Sequence, residues 1–333
     1  MFNVLFTLFV ASEFCYYLLI AQTGIIEVFH SDVQTFFTLP LGGVLGSLLV
    51  YRSWGWLNTD QRKIIFFVGI QALCSFFYPS LNLAVLALLG VSLGMSAPLL
   101  IKVSKERMGE IAIALALTYA LATALFTYAP ILRGNLAIAL SVTAFTCSFF
   151  LHRLPPHRVE IASERLSLYA VASMAIWAYL DANLFETLSR SLDIAIWREP
   201  TWHIIWVFHL IGMGAAYLLR DVFKEQHAFI IAFLFATSYA LYAAREALLL
   251  SMVYPFVISY YNFVILKRLS KLGDLRLLGV IMVFTGWIAG GGGLLSALFG
   301  YTYVGVLFIC VLLCAEMYGF IYQISQKRIN NVH

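Results

Sequence analysis

Residues 152–166, HRLPPHRVEIASERL, form a charged, basic segment that divides this chain into two long apolar halves. Of the 333 residues, 62% are hydrophobic and only 11% are charged, and the mean hydropathy is +0.88. Soluble domains have about 25% charged residues, so the composition predicts an integral membrane protein. The apolar runs have about 18 to 25 residues, roughly the length at which an α-helix crosses the hydrocarbon core, and they lack the short alternating segments of a membrane β-barrel.

We therefore predict an all-α polytopic membrane protein with twelve transmembrane helices. The predicted spans, numbered 1 to 12, are 3–22, 33–51, 64–79, 82–101, 110–131, 134–151, 167–188, 202–219, 228–243, 247–266, 276–299 and 302–324.

Lysine and arginine residues predict the orientation, because basic residues near helix ends are retained on the cytoplasmic side. If both termini are cytoplasmic, all of the 21 basic residues except Arg133, Arg190, Arg198 and Arg245 lie inside. We expect a bacterial inner (plasma) membrane with both termini in the cytoplasm. The net charge of +4 follows from this topology and requires no nucleic-acid partner.

The two halves match each other at an offset of 168 residues. GSLLVYR at 46–52 then lies over GAAYLLR at 214–220, and Glu13 lies over Asp181. Internal repeats of this kind are common in secondary transporters. The predicted organisation is an N-terminal six-helix bundle (1–151), a cytoplasmic linker (152–166) and a C-terminal six-helix bundle (167–333).

Six spans, a linker and six spans resemble the major facilitator superfamily over the whole chain. The loop between spans 2 and 3, GSLLVYRSWGWLNTDQRK, places Gly46, Arg52, Arg62 and Lys63 near that family's glycine and basic residues, with Val50 where the family has an acidic one. The resemblance implies that spans 1, 4, 7 and 10 line a central cavity. Spans 2, 5, 8 and 11 would form the interface that opens and closes, and spans 3, 6, 9 and 12 would face lipid.

Glu13 and Asp181 each place a carboxyl group near the middle of an apolar span. A charged side chain at this depth costs roughly 2.5–3.5 kcal/mol on insertion scales, so such groups normally face a cavity or a partner. We interpret both as proton-coupling residues that take up and release protons during transport. The alternative is a structural carboxyl group that forms a hydrogen bond with a neighbouring helix.

Polar and aromatic residues on the predicted cavity and interface helices are candidates for substrate binding. They are Tyr17, Met95, Trp177, Asn183, Glu186, Trp206, His209 and Tyr254. Their aromatic character suits an organic or amphipathic solute better than a bare inorganic ion. Two have ordinary alternatives, since Glu186 can form an ion pair with Arg190 one turn later, and His209 can be a packed interhelical histidine.

His209 and Met213 lie one helical turn apart in span 8, where an imidazole and a thioether can bind a soft metal such as Cu(I). This motif resembles that of the copper importers of the same superfamily. Those proteins add a Met-x-x-x-Met motif in span 7, whereas span 7 of this chain has only Met174.

The sequence leaves three hypotheses for the function of this protein. The first is a secondary active transporter of a small organic solute, coupled to protons and working by alternating access. The others are a copper or metallophore importer and a membrane scaffold that transports nothing. No nucleotide-binding loop or catalytic constellation occurs in the sequence, so we predict neither an enzyme nor a cofactor. The expected partners are a small-molecule substrate, protons and the lipid bilayer, and we expect a monomer.

Overall fold

The structure is a computed structural model, and it describes residues 2–29, 33–105, 107–151, 166–190, 194, 196–197, 202–223 and 226–330. Within these ranges the secondary structure is helical, apart from an isolated β-bridge between Trp54 and Leu57. The predicted linker lies outside the described residues except for Leu166.

Helices of the first half follow the predicted spans in order. They are α1 (Phe2–Tyr16), a π-helical segment (Tyr17–Gln22), α2 (Gly24–Phe29), α3 (Val33–Leu49), α4 (Asp60–Ser75), α5 (Leu83–Val103), α6 (Met108–Leu125), a 3-10 turn (Pro130–Leu132) and α7 (Gly134–Ser148).

The second half continues in the same way. Its helices are α8 (Leu168–Arg190), α9 (Trp202–Leu218), α10 (His227–Ala243), α11 (Ala247–Ser270), α12 (Leu275–Met282), a second π-helical segment (Val283–Ile288), α13 (Ala289–Leu298) and α14 (Thr302–Asn330).

Length and composition make the chain an integral membrane protein. Six helical segments of the described chain are long and apolar enough to cross a membrane: Asn3–Phe29, Leu83–Val103, Met108–Leu125, Leu168–Arg190, Ala247–Ser270 and Leu275–Leu298. Five shorter apolar helices accompany them. The predicted span 1 is too short, because α1, the first π-helical segment and α2 continue as one helical segment to Phe29.

Polar side chains cap several helices at their N-termini. Asn82 accepts a hydrogen bond from the backbone N–H of Val85 at 3.0 Å, and Asp274 accepts one from that of Arg276 at 2.8 Å. Such caps satisfy backbone donors that have no partner within the helix. They position the first turns of α5 and α12.

Both halves use the same set of helix pairings. In the first half, α3 packs on α5, α1 on α6 and α7, and α4 on α5 and α7. In the second half, α9 packs on α11, α8 on α13 and α14, and α10 on α11 and α14. The offset of 168 residues brings the first residues of α1, α3, α4, α5, α6 and α7 within four residues of the starts of α8, α9, α10, α11, α12 and α14.

Small residues set how closely the helices of the first half approach. A Cβ atom at Gly90 would meet the backbone of Leu39, and one at Gly94 would meet the backbone of Gly43. The Ser47 hydroxyl adds a hydrogen bond to the Gly94 carbonyl at 3.1 Å. Helices α3 and α5 therefore cross in backbone contact, as glycine-mediated membrane helix pairs do.

Two surfaces join the halves. Helix α6 packs on α9, and α3 packs on α12 and the second π-helical segment. At the second contact, the indole Nε1 of Trp287 donates to the Ser47 hydroxyl at 3.1 Å, and the ring lies directly against Gly43. The space between these two surfaces is the central cavity.

Candidate functional site

The central cavity has a volume of about 290 Å³ and is enclosed by residues of both halves. Its described walls come from α1 with the first π-helical segment, α5, α6, α8, α9, α11, and α12 to α13 with the second π-helical segment. These segments correspond to spans 1, 4, 7 and 10, which were predicted to line it, together with spans 5, 8 and 11. Helices α4, α7, α10 and α14 contribute no described residue to the walls.

Asp181 lines the cavity from α8 and is held by two tyrosines of α11. The Tyr254 hydroxyl donates to Asp181 Oδ1 at 2.8 Å and also lies 2.9 Å from the Asp181 backbone carbonyl oxygen. The Tyr261 hydroxyl donates to Oδ2 at 2.6 Å. Both carboxyl oxygens therefore have an O–H donor, and Tyr261 itself faces the cavity.

Glu13 lines the same cavity from α1 but has different surroundings. Its Oε1 accepts a hydrogen bond from the Gln71 side-chain amide at 3.2 Å, and only 6% of its surface is exposed. Gln71 belongs to α4 and is fully buried, and its Oε1 has no hydrogen-bond partner among the described residues. The two halves thus each contribute a carboxyl group, one bound by two hydroxyl groups and the other by one amide.

Aromatic rings from both halves form a stack in the wall. Tyr119 of α6 and His209 of α9 are parallel within 2°, with ring centroids 4.5 Å apart. The Trp197 ring also stacks on this imidazole, with ring centroids 6.4 Å apart. His209 Nδ1 lies 2.7 Å from the Ser259 hydroxyl of α11, which holds the ring in this orientation.

A second aromatic cluster closes one end of the cavity. Phe126 of α6 lies 6.1 Å from Phe185 of α8, and Trp197 lies 6.0 Å and 5.3 Å from these two rings. The Arg133 guanidinium lies 5.2 Å from the Phe126 centroid. The cluster joins the halves where α6 and α8 end.

The predicted site residues fall into two groups. Glu13, Asp181, Tyr17 and His209 line the central cavity, and Tyr254 lies directly behind Asp181 as its donor. The others are placed outside the cavity walls: Met95, Trp177, Asn183, Glu186, Trp206 and Met213.

Several residues of the second group contact other parts of the protein. Asn183 accepts a hydrogen bond from the Tyr239 hydroxyl at 2.9 Å and donates to the Gly293 carbonyl at 3.4 Å, which fastens α8 to α10 and α13. Glu186 forms the ion pair with Arg190 that the sequence offered as its alternative. Trp177 packs under the Arg268 guanidinium, at 5.2 Å from the ring centroid.

The main residues absent from the sequence-based set are Tyr261, Trp197 and Trp287, all of which line the cavity. Tyr261 could have been found, because it follows Tyr254 by seven residues and so lies on the same helix face two turns later. Trp197 lies between helices, and no periodicity indicates its position. The neighbouring Tyr260 turns away from the cavity and lies 2.8 Å from His227 Nδ1.

Long apolar helices around a cavity lined by two carboxyl groups define a polytopic membrane protein with a transporter-like fold. Solved transporters of two kinds are similar to it. A bacterial homologue of the iron transporter ferroportin in the outward-facing state has 17% sequence identity and a TM-score of 0.51, covering 95% of this chain and 96% of that one. The same homologue with soaked iron has 16% identity and a TM-score of 0.59, covering 95% and 98%.

A mutant of the nucleoside transporter NupG has 14% identity and a TM-score of 0.58, covering 96% of this chain and 99% of that one. No family model matches the chain, and no curated protein sequence matches it. At these identities the likeness shows the fold alone, which this chain shares with the named transporters. These neighbours are described as transporters.

Proposed function

We propose that this protein is a secondary active transporter that binds a small organic solute in the central cavity and exposes it alternately to the two sides of the membrane. One observation carries the proposal. Two carboxyl groups, Glu13 and Asp181, occupy matching positions of the two halves and line the same cavity. Substrate sites of secondary transporters lie at such repeat interfaces near the middle of the bilayer.

The matching helix pairs support two six-helix halves with twelve spans, joined by the linker at 152–166. Contacts between the halves are concentrated at α6 with α9 and at α3 with α12. A rocking motion of one half against the other would open and close these contacts on either side of the cavity. The basic residues support cytoplasmic termini, and the bacterial inner membrane remains our proposed location.

Proton coupling would use both carboxyl groups. Asp181 accepts hydrogen bonds from two tyrosine hydroxyls, whereas Glu13 accepts one from a side-chain amide. Because their donors differ in number and kind, the two groups would bind and release protons separately as the cavity changes sides. A solute that binds near Asp181 would compete with the tyrosine hydroxyls for the carboxyl oxygens. Binding of the solute would therefore change the protonation of Asp181.

The walls favour an organic solute. The cavity volume of about 290 Å³ is close to the lower end of small-molecule sites, roughly 300–1,000 Å³. Tyr17, Tyr119 and Trp197 present ring faces or edges to the space, and the carboxyl groups and His209 add a few polar contacts. This mixture of apolar walls and few polar groups is typical of sites for organic ligands.

Copper import remains the second hypothesis for the same cavity. His209 lines it, whereas Met213 is buried outside its walls. Among the described residues, no group of three or more His, Cys, Asp or Glu side chains is placed to hold a metal ion. Met282 lines the cavity with His209, so a copper site that also used Met213 would need a change of conformation.

Thermal unfolding of the purified protein with a panel of organic solutes and Cu(I) tests these hypotheses, because a ligand that binds only the folded state raises the midpoint. We expect an organic solute to raise the midpoint and to drive proton-dependent uptake into proteoliposomes. Asp181→Asn should abolish this uptake. The matched control is Asp274→Asn, which removes a carboxylate at an exposed N-cap where asparagine caps equally well.

Two results would contradict the proposal. A shift with Cu(I) alone that is lost in His209→Ala would favour metal import. Uptake that is unchanged in both Asp181→Asn and Glu13→Gln would remove the carboxyl groups from the mechanism. Glu246→Gln, in the exposed loop between α10 and α11, serves as the control for Glu13.

A further inference from the structure

A second cavity of about 340 Å³ lies beside the central cavity, between α3 and α13. Its walls are mostly apolar, with Phe37 and Leu41 on one side and Ile288 and Leu295 on the other. Both π-helical segments border it, through Tyr17, Ala21 and Gln22 in the first half and Gly286 to Ile288 in the second. π-helical turns occur frequently at functional sites.

The second cavity adjoins the central one. Six residues line both: Tyr17, Gln22, Ala182, Gly286, Trp287 and Gly290. The Trp287 ring stands at the boundary, held by its hydrogen bond to Ser47 and packed against Gly43. The boundary beside Trp287 is the passage that a molecule would have to cross to occupy both cavities.

The mouth of the second cavity opens towards the side of the protein. Leu41, Ile288 and Phe37 are 61%, 54% and 39% exposed. Leu41 lies eight residues into α3, about 12 Å along the helix axis at 1.5 Å per residue. Leu41 belongs to the apolar segment Phe37–Leu49, so where α3 crosses a bilayer this opening faces its hydrocarbon.

Three glycines border open space along this passage. Cβ atoms added at Gly286, Gly290 or Gly291 would have no atom within 4 Å, so these positions border empty space. Gly291 lines the second cavity only. A larger side chain there would fill the passage without entering the central cavity.

The charged groups of the central cavity indicate which kind of head group a bound molecule would carry there. The described walls of the central cavity contain the carboxyl groups of Glu13 and Asp181, and no lysine or arginine. An anionic head group would find no cation there, whereas an ammonium group would meet carboxyl oxygens and the faces of aromatic rings. Aromatic faces attract such cations.

We propose that the solute is a cationic amphiphile with a single alkyl chain. Its ammonium head occupies the central cavity, and its chain lies in the second cavity and reaches the bilayer between α3 and α13. The solute thus enters or leaves sideways through the membrane. This inference rests on the proposed transport function and specifies its substrate class and route.

The test uses the full-length protein in lipid nanodiscs and in proteoliposomes. The probes are dodecyltrimethylammonium below the concentration that disrupts bilayers, tetramethylammonium with the same head and no chain, and dodecyl sulfate with the same chain and an anionic head. We expect the dodecyl cation to bind at least tenfold more tightly than either of the others. Asp181→Asn should weaken its binding.

Gly291→Leu tests the route. Each buried methylene group contributes about fourfold to affinity, so excluding two of them should weaken dodecyltrimethylammonium binding by about fifteenfold and leave tetramethylammonium unchanged. Gly214→Leu is the matched control, since Gly214 also has no atom within 4 Å of an added Cβ and lines neither cavity.

Each of the other outcomes refutes a separate part of the proposal. Equal binding of the dodecyl cation to Gly291→Leu and the wild type would refute the lateral route while leaving transport intact. Preferential binding of dodecyl sulfate, or of a different class of solute, would refute the cationic head. If no organic solute binds or is taken up, the proposed function and this inference both fail.

Discussion

The hydrogen bond between Tyr261 and Asp181 can be measured with a double-mutant cycle. The Tyr261 hydroxyl donates to Asp181 Oδ2 at 2.6 Å. A hydrogen bond to a charged group contributes about 1.5–3 kcal/mol, and one between neutral groups about 0.5–1.5 kcal/mol. We therefore expect a coupling free energy of about 1.5–3 kcal/mol while Asp181 is ionised, falling to the neutral range in acid where it is protonated.

The cycle combines Tyr261→Phe, Asp181→Leu and the double variant. Phenylalanine removes only the hydroxyl group, and leucine removes both carboxyl oxygens at similar volume. The measured quantity is the free energy of unfolding in mixed micelles at a neutral and an acidic pH. A parallel cycle pairs Asp181→Leu with Tyr260→Phe, because Tyr260 bonds His227 instead and should couple to Asp181 by less than about 0.5 kcal/mol.

A coupling for Tyr261 no larger than that for Tyr260 would refute the reasoning. It would mean that the Asp181 carboxyl group does not depend on this hydroxyl in the folded protein. A coupling that is large and independent of pH would refute the exchange of a proton at Asp181. Only a large coupling that weakens in acid agrees with a carboxyl group that titrates while bound to tyrosine.

Three further predictions concern the remaining features. Glu13→Gln should keep the fold and abolish proton-driven uptake, measured in proteoliposomes with and without a pH gradient. Arg133→Met should lower the free energy of unfolding by about 2–3 kcal/mol, because the buried guanidinium donates to three backbone carbonyls and a hydroxyl; Arg245→Met, in an exposed loop, should change it little. Gly94→Ala should cost about 1–3 kcal/mol by pressing a Cβ atom into α3, whereas Gly214→Ala should not, and equal melting temperatures for the two would contradict this packing.

The positions of helices were largely predictable. Span 8 was predicted at 202–219, and α9 runs Trp202–Leu218. The length of an apolar run is a local property that the hydrocarbon thickness imposes directly. Errors occur where the chain continues as helix beyond the apolar core, as at Gly24–Phe29 and towards Asn330.

The cavity walls were predictable only in part. Glu13 and Asp181 were recognised because a carboxyl group in an apolar span is energetically costly and therefore indicates a function or a partner. Asn183 was assigned to the same wall, two residues after Asp181, yet it points to Tyr239 and Gly293. Residues two apart on a helix face different directions, so the choice between neighbours depends on how α8 is rotated.

The sequence alone determined that the protein lies in a membrane and where most of its helices run. It also predicted the match at 168 residues that pairs Glu13 with Asp181. These follow from composition and spacing along the chain. Only the tertiary structure decided that Tyr261 and not Tyr260 holds Asp181, and that Trp287 stands between two adjoining cavities. Rotation and crossing of the helices fix those facts, because in hydrocarbon nearly every face is apolar and close packing at small residues selects which faces meet.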